Sequence, residues 1–276
     1  MSGDYLEHYR EHGYAVVKGV FDRREIAEIA EAFDRTYARG LGYGASFRHQ
    51  NTLFRLGEDP NLGRIVRMVQ WPSYVDAVLA RYRNDPRMLE ILAPLLGNDL
   101  KQIINQMHWK PPGACAVEWG YHQDIRFRRP REAYRSPAAS YIQTGIAIDP
   151  HSARNGAMTV LPGSHRLGEL SSVAGRVMDR SLSDGDLVDL GLNPDDVIAL
   201  DLDPGDVAFW HLHTIHGSGP NETKIDRRFY LNGYVVAENC DRGEWAFRNG
   251  APCPLGEPVL VHYEQLFERP EPHYVD

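Results

Sequence analysis

Apolar positions change their spacing about a third of the way along the chain, from a helical period to short alternating runs. After Asp22, the residues Ile26, Ile29, Ala30, Phe33 and Tyr37 recur at helical spacing as far as Gly40, and Asp22 with Glu25 three residues on makes a capping-box pattern. A short strand, Tyr14 to Val17, precedes this helix. A second helix is predicted from Asp85-Pro86, where proline suits the first turn, through Met88, Leu89, Ile91 and Leu92 towards Gly97. From about Ile103 the apolar runs become short and are separated by Pro, Gly, Asn and Asp: 103–109, 115–121, 139–148, 157–161, 196–202, 206–212 and 228–237. Asp203-Pro204-Gly205-Asp206 reads as a tight turn between two of them. Many short strands with regular turns predict a sandwich, jelly roll or barrel. The expected organisation is one domain: a helical flank with an early strand over 1–102, a β core over 103–240 and a C-terminal extension over 241–276. The more polar stretch 167–195, rich in Ser, Gly and Asp, is expected to run over one mouth of the barrel, as a plain surface loop or as a lid.

Composition narrows the function classes. With 276 residues, 42% of them apolar, the chain can bury a sizeable core. A net charge of −8 and a pI near 5.8 give no electrostatic footprint for nucleic acid, and no apolar run approaches the length that crosses a bilayer. A small-molecule substrate is therefore expected, with neither nucleic acid nor membrane as partner; the pattern does not specify an oligomeric state. The opening residues, Met1 to Glu7, lack the basic and apolar regions of a secretory signal, which makes the cytoplasm the expected compartment. Cys115, Cys240 and Cys253 are odd in number and widely spaced, a pattern of reduced thiols rather than of a disulfide framework or a zinc site.

His122-Gln123-Asp124 carries the first candidate chemistry. Two ligands two residues apart leave the same face of an extended chain, which suits one metal ion. An imidazole and a carboxylate, joined by an imidazole from a distant strand, make the facial triad of non-haem Fe(II) oxygenases and leave coordination positions open. The second half offers His211, His213 and His216. Strand alternation puts His211 and His213 on one face, while His216 differs in parity and stands just before the turn Gly217 to Asn221, so His216 is the favoured ligand. Arg227 follows eleven residues later and would place a guanidinium fork in the barrel for the distal carboxylate of 2-oxoglutarate, with Arg228 pointing the opposite way and Ser218 adding a hydroxyl.

These residues sit in four motifs in order: Tyr121-His122-Gln123-Asp124; Asn155 to His165, containing Pro162-Gly163-Ser164-His165; Gly205-Asp206-Val207-Ala208-Phe209; and His216 to Asn221 with Arg227. With Glu11 to Val17 before them, they make the chain resemble the phytanoyl-CoA dioxygenase family as far as about Tyr234. The resemblance implies a mostly β fold with flanking helices, built on a double-stranded β-helix (a cupin-like jelly roll) with a helical N-terminal third. It implies His122, Asp124 and His216 as Fe(II) ligands, Arg227 and Ser218 as the holders of the far carboxylate of 2-oxoglutarate, and O2 as co-substrate. His165 lies in a segment that is structural in the family, a turn closing the barrel. The family often carries tryptophan where Ile142-Gln143-Thr144 stands and an apolar residue near Gln106, so Gln106 and Gln143 are expected to face co-substrate or substrate.

The activity so implied is a 2-oxoglutarate-dependent dioxygenase releasing succinate and CO2. Asp124 stands where related halogenating enzymes have a small residue, which favours hydroxylation; desaturation, epimerisation, epoxidation and ring closure share the same centre. Arg126, Arg128, Arg129 and Arg131 either rim the mouth and draw an anion or form a solvated loop with acids such as Glu132. Tyr134, Trp119, Trp210 and His108 either shape an apolar wall or belong to the core. A small organic acid or secondary metabolite is the expected substrate. Two rivals remain: a redox-neutral metal-dependent isomerase or hydrolase, for which Arg227 would be dispensable, and a non-catalytic binding protein.

Overall fold

The computed structural model describes residues 4–128, 130–170, 182–259 and 273–274. A helix α1 (Asp4–His12) leads into strand β1 (Tyr14–Val17) and helix α2 (Arg23–Gly42). Asp22 caps α2 as its spacing predicts, accepting from the backbone of Arg24 and Glu25 while Glu25 reaches back to the Asp22 N–H. Three strands follow, β2 (Phe47–His49), β3 (Thr52–Asp59) and β4 (Gly63–Gln70). They lie in the stretch expected to be helical apart from an early strand, so the first third contributes a sheet wing as well as helices. Helices α3 (Ala77–Tyr82) and α4 (Pro86–Leu96) come next, α4 with Asp85 as its cap, proline in its first turn and Gly97 at its end.

The remaining strands among the described residues are β5 (Leu100–Lys110), β6 (Trp119–His122), β7 (Tyr141–Ala147), β8 (Met158–Val160), β9 (Ile198–Ala199), β10 (Val207–His211), β11 (His216–Ser218), β12 (Arg227–Val236), β13 (Glu244–Arg248), β14 (Ala251–Pro252) and β15 (His273–Tyr274). Their pairings are antiparallel. The main sheet runs β1-β10-β7-β12-β5-β4-β3-β2-β15, with β13 paired to β5 and to β14, and a smaller sheet runs β6-β11-β8-β9. The two sheets form the double-stranded β-helix. The turn 203–206 is made as its residues predict, Asp206 N–H donating to Asp203 O at 3.0 Å with Gly205 at φ 96°. β13 carries the sheet past residue 240 into the stretch expected as a C-terminal extension, of which 260–272 and 275–276 lie outside the described residues.

The helices cover the outer face of the main sheet. Ile29 and Phe33 of α2, Leu79 of α3 and Ile91 of α4 share a core with Met107, Ile146, Phe209, Tyr230 and Tyr234. Period-two alternation then directs the intervening residues of β5 and β12 to the inner face, so one strand serves core and pocket at once. Gly145 makes room there: a Cβ on it would stand 2.2 Å from the Phe229 ring. Among the described residues no helix is long and apolar enough to cross a membrane.

Candidate metal centre and pocket

The two sheets enclose a cavity of about 620 Å³, within the range of small-molecule sites. On its smaller-sheet side, β6 brings His122 opposite His216 of β11 in direct register. Asp124 opens a short 3-10 turn after β6, and the three residues offer ligand atoms that all lie within 4.8 Å of one another. Asp124 Oδ1 stands 4.0 Å from His122 Nε2 and 3.8 Å from His216 Nε2. This is the only such cluster among the described residues.

Neighbouring groups fix how each ligand atom is presented. His122 Nδ1 is 2.8 Å from Gly120 O and His216 Nδ1 is 2.9 Å from Thr214 O; a carbonyl can only accept, so both Nδ1 atoms carry the proton and both Nε2 lone pairs face the centre. The Trp210 indole N–H donates to Asp124 Oδ2 at 3.0 Å, leaving Oδ1 towards the histidines. Burial, reinforced by His216, pushes the His122 imidazole down to about 3, so it is neutral at physiological pH. For Asp124 burial alone would raise the carboxyl, but His216, Arg128, His122 and the Trp210 N–H outweigh it and hold the group below its ordinary value. Two imidazoles and one carboxylate, each held from behind, are a donor set suited to a divalent first-row metal with positions left open.

Arg227 lines the cavity from β12, 3% exposed, its guanidinium 4.9 Å from the Phe229 ring centre and its Nε without a hydrogen-bond partner. Burial lowers it to about 9, with Asp149 opposing; a guanidinium so placed keeps its proton at neutral pH. A buried cation with open donors fits a carboxylate ligand. Arg228 points the other way, as alternation predicts, and pairs with Asp149 at 2.8 Å. Ser218 also lines the cavity; its Oγ accepts from Lys110 Nζ at 2.7 Å, which leaves its own hydrogen to donate. Lys110 stands opposite Arg227 in register, and burial together with Arg227 pulls its amine well below the ordinary value.

Gln106 and Gln143 both line the cavity. Gln106 Oε1 is 3.0 Å from His108 Nε2, and Gln143 Oε1 accepts from the Tyr141 hydroxyl. Trp119, His108 and Trp210 are wall residues too, whereas Tyr134 is buried behind the wall. His211 and His213 are separated from the centre, but not by strand parity: β10 ends at His211 and the chain turns before β11 begins at His216. His211 Nε2 instead meets Ala138 O at 2.8 Å, and His165 meets Arg10 O. Gln123 donates to Gly168 O and His213 O and accepts from Leu170 N–H, tying down the start of the 167–195 stretch, of which 171–181 lies outside the described residues. Lys110 escaped sequence reasoning as a site residue because a lysine at a strand end reads as solvated, and Trp210, expected as apolar wall or core, also donates its indole N–H to Asp124.

A family described as "Phytanoyl-CoA dioxygenase (PhyH)" matches residues 9–229. A "Probable alpha-ketoglutarate-dependent hypophosphite dioxygenase" of Stutzerimonas stutzeri is 29% identical over 248 residues, covering 86% of this chain and 80% of the relative. EctD from S. alaskensis, crystallised with 2-oxoglutarate and 5-hydroxyectoine, superimposes with a TM-score of 0.68 at 20% identity over 95% of this chain and 86% of that one. The alpha-ketoglutarate-dependent epimerase SnoN from nogalamycin biosynthesis superimposes with a TM-score of 0.61 at 23% identity, over 93% and 97%.

Proposed function

The chain belongs to the phytanoyl-CoA dioxygenase family and is a 2-oxoglutarate-dependent non-haem iron dioxygenase, and from that premise we propose that His122, Asp124 and His216 hold its Fe(II) and that Arg227 and Ser218 hold the far carboxylate of 2-oxoglutarate. The observation that carries this assignment is the conjunction, in one cavity, of three convergent ligand atoms with a buried arginine whose Nε has no partner. When bound, iron and 2-oxoglutarate together reduce dioxygen, yield succinate and CO2, and supply the oxidant that acts on the substrate.

The chain's own residues set the conditions for this chemistry. His122 and His216 are oriented through Nδ1 so that Nε2 of each faces the centre, and Trp210 keeps Asp124 from swinging. Arg227 orients the co-substrate through a bidentate fork, and Lys110 steadies Ser218 beside it. Gln106 and Gln143 serve the inner end of the co-substrate or the substrate beside it. Phe229, Leu231, Met158 and Ile104 close the cavity against water. Asp124 occupies the space a halide would need, which favours hydroxylation of an unactivated C–H bond in a small organic acid or secondary metabolite; desaturation, epimerisation, epoxidation and ring closure share the same centre. The charge of the lining favours an acid, since Arg55, Arg126, Arg128 and Arg227 face one carboxylate, Asp124.

Succinate release from 2-oxoglutarate in air, with Fe(II) and ascorbate, tests the assignment. Wild type is expected to release succinate slowly without added substrate and His216→Ala to release none. Iron-dependent turnover of a substrate that needs no 2-oxoglutarate and survives Arg227→Ala would move the redox-neutral metal enzyme to first place.

A further inference from the structure

The arginines that follow Asp124 do not form one solvated loop. Arg131 pairs with Glu169 away from the cavity, Arg126 is half-buried with its guanidinium 5.2 Å from the Phe127 ring centre, and Arg129 lies outside the described residues. Arg128 is different: it lines the cavity and is 2% exposed.

Its guanidinium is held on one side only. The carbon lies 4.6 Å from the centre of the Tyr141 ring, and Nη2 donates to the Tyr141 hydroxyl at 2.9 Å. That hydroxyl in turn donates to Gln143 Oε1, which fixes Gln143 on the cavity wall. Gly233 admits this packing: a Cβ there would stand 2.2 Å from the Tyr141 oxygen. Nε and Nη1 of Arg128 are buried and have no partner at all. Arg83, a buried arginine outside the cavity, gives Nη1 to Gln102 and Nη2 to two backbone carbonyls, leaving only Nε open. Unmatched donors on a buried charge are costly, so a fold retains them where a ligand supplies the acceptors.

The charge balance says which ligand. A ferrous dication, Asp124, a dianionic co-substrate and Arg227 sum to neutrality, and Arg128 remains as a buried cation in the same cavity. Resting on the dioxygenase reading above, we propose that Arg128 is the substrate anchor, binding an oxyanion group of the primary substrate, carboxylate or phosphorus oxyanion, through Nε and Nη1. Tyr141 and Gln143 position the guanidinium, and the four-residue step from Asp124 brings the anchored substrate beside the metal side of the cavity.

Anaerobic protein loaded with Fe(II) and 2-oxoglutarate is titrated with propionate in one arm and methylphosphonate in the other, following the visible absorption of the loaded site. Wild type is expected to give a saturable shift with at least one probe, and the responding arm identifies the class. Arg128→Gln is expected to keep the band and weaken the probe by ~10- to 100-fold, the worth of hydrogen bonds to a charged group. Arg128→Lys, which keeps the charge without the fork, is expected to fall between, and Arg131→Gln to match wild type. Equal probe affinity in wild type, Arg128→Gln and Arg128→Lys overturns the proposal, as does a wild type whose band no probe shifts. Loss of the band in both Arg128 variants overturns it differently, by making Arg128 a co-substrate ligand. Absence of the band in wild type removes the dioxygenase reading itself.

Discussion

The two faces of the main sheet both bury polar side chains, but they satisfy them in opposite ways. On the outer face, beneath α3, Gln102 donates to Asn232 at 2.5 Å, Asn105 donates to Tyr230 at 2.7 Å and to Asn232 at 2.9 Å, and Tyr230 donates to Leu79 O at 2.7 Å. Arg83 completes the network, and Asn232 Nδ2 and Arg83 Nε are what remains open. Opposite, on the cavity side, Arg227 and Arg128 keep donors that no protein atom meets. A closed network specifies packing, and an open one specifies a ligand. Adjacent side chains on β12, Arg227 and Phe229 inward and Arg228 and Tyr230 outward, thus belong to different tasks.

The sharpest break in this comparison is Arg227→Ala. Removing one partner of a buried, hydrogen-bonded ion pair costs about 3–5 kcal/mol, so the 2-oxoglutarate KM should rise by roughly two to three orders of magnitude. The apoprotein should unfold at no lower denaturant concentration, because the charge removed has no partner there; a large loss of apoprotein stability would contradict the comparison. Asn105→Leu should do the reverse. It leaves the Ser73 N–H without its acceptor and takes one of several partners from Tyr230 and from Asn232, so it destabilises by about 1–3 kcal/mol and leaves the 2-oxoglutarate KM unchanged, which denaturant curves and initial rates check together. Trp210→Phe removes the hydrogen bond behind Asp124 and should weaken Fe(II) binding by ~10- to 100-fold with little change in fold, as metal titration will measure.

The smallest effect is on pH dependence. His151 is buried, and burial together with Arg227 holds its imidazole well below the ordinary value of 6.5. Below pH 6.5 the unfolded chain takes a proton there that the folded protein refuses, so stability is present above that pH and lost as pH falls, by up to about 1.4 kcal/mol per pH unit. His151→Gln should flatten the curve of unfolding free energy between pH 7 and 5; an unchanged slope would show that His151 protonates in place.

Caps and turns were legible because their signals are local: Asp22 with Glu25, Asp85 with Pro86, and the turn at 203–206. The β3–β4 hairpin was not. In β4 the buried positions Ile65, Val66, Met68 and Val69 follow a helix-like spacing, because the pairing shifts register between Arg55 and Leu56 and both faces of the strand are partly covered. His122 and Asp124 were legible from a two-residue spacing and Arg227 from its distance to His216. The parity argument for His216 reached the residue that the structure places in the cluster, although the strand it assumed is interrupted by a turn. Arg128 was hidden among arginines, since a run of like charges looks solvated until burial distinguishes one of them.

The most direct test of the inner face as a ligand-completed site is anaerobic difference absorption on adding Fe(II) and then 2-oxoglutarate to the purified protein. A weak visible charge-transfer band in wild type and in Asn105→Leu, weakened in Arg227→Ala and absent in His216→Ala, is the predicted result. Bound iron with no band in wild type, or a band indifferent to Arg227, would contradict the account.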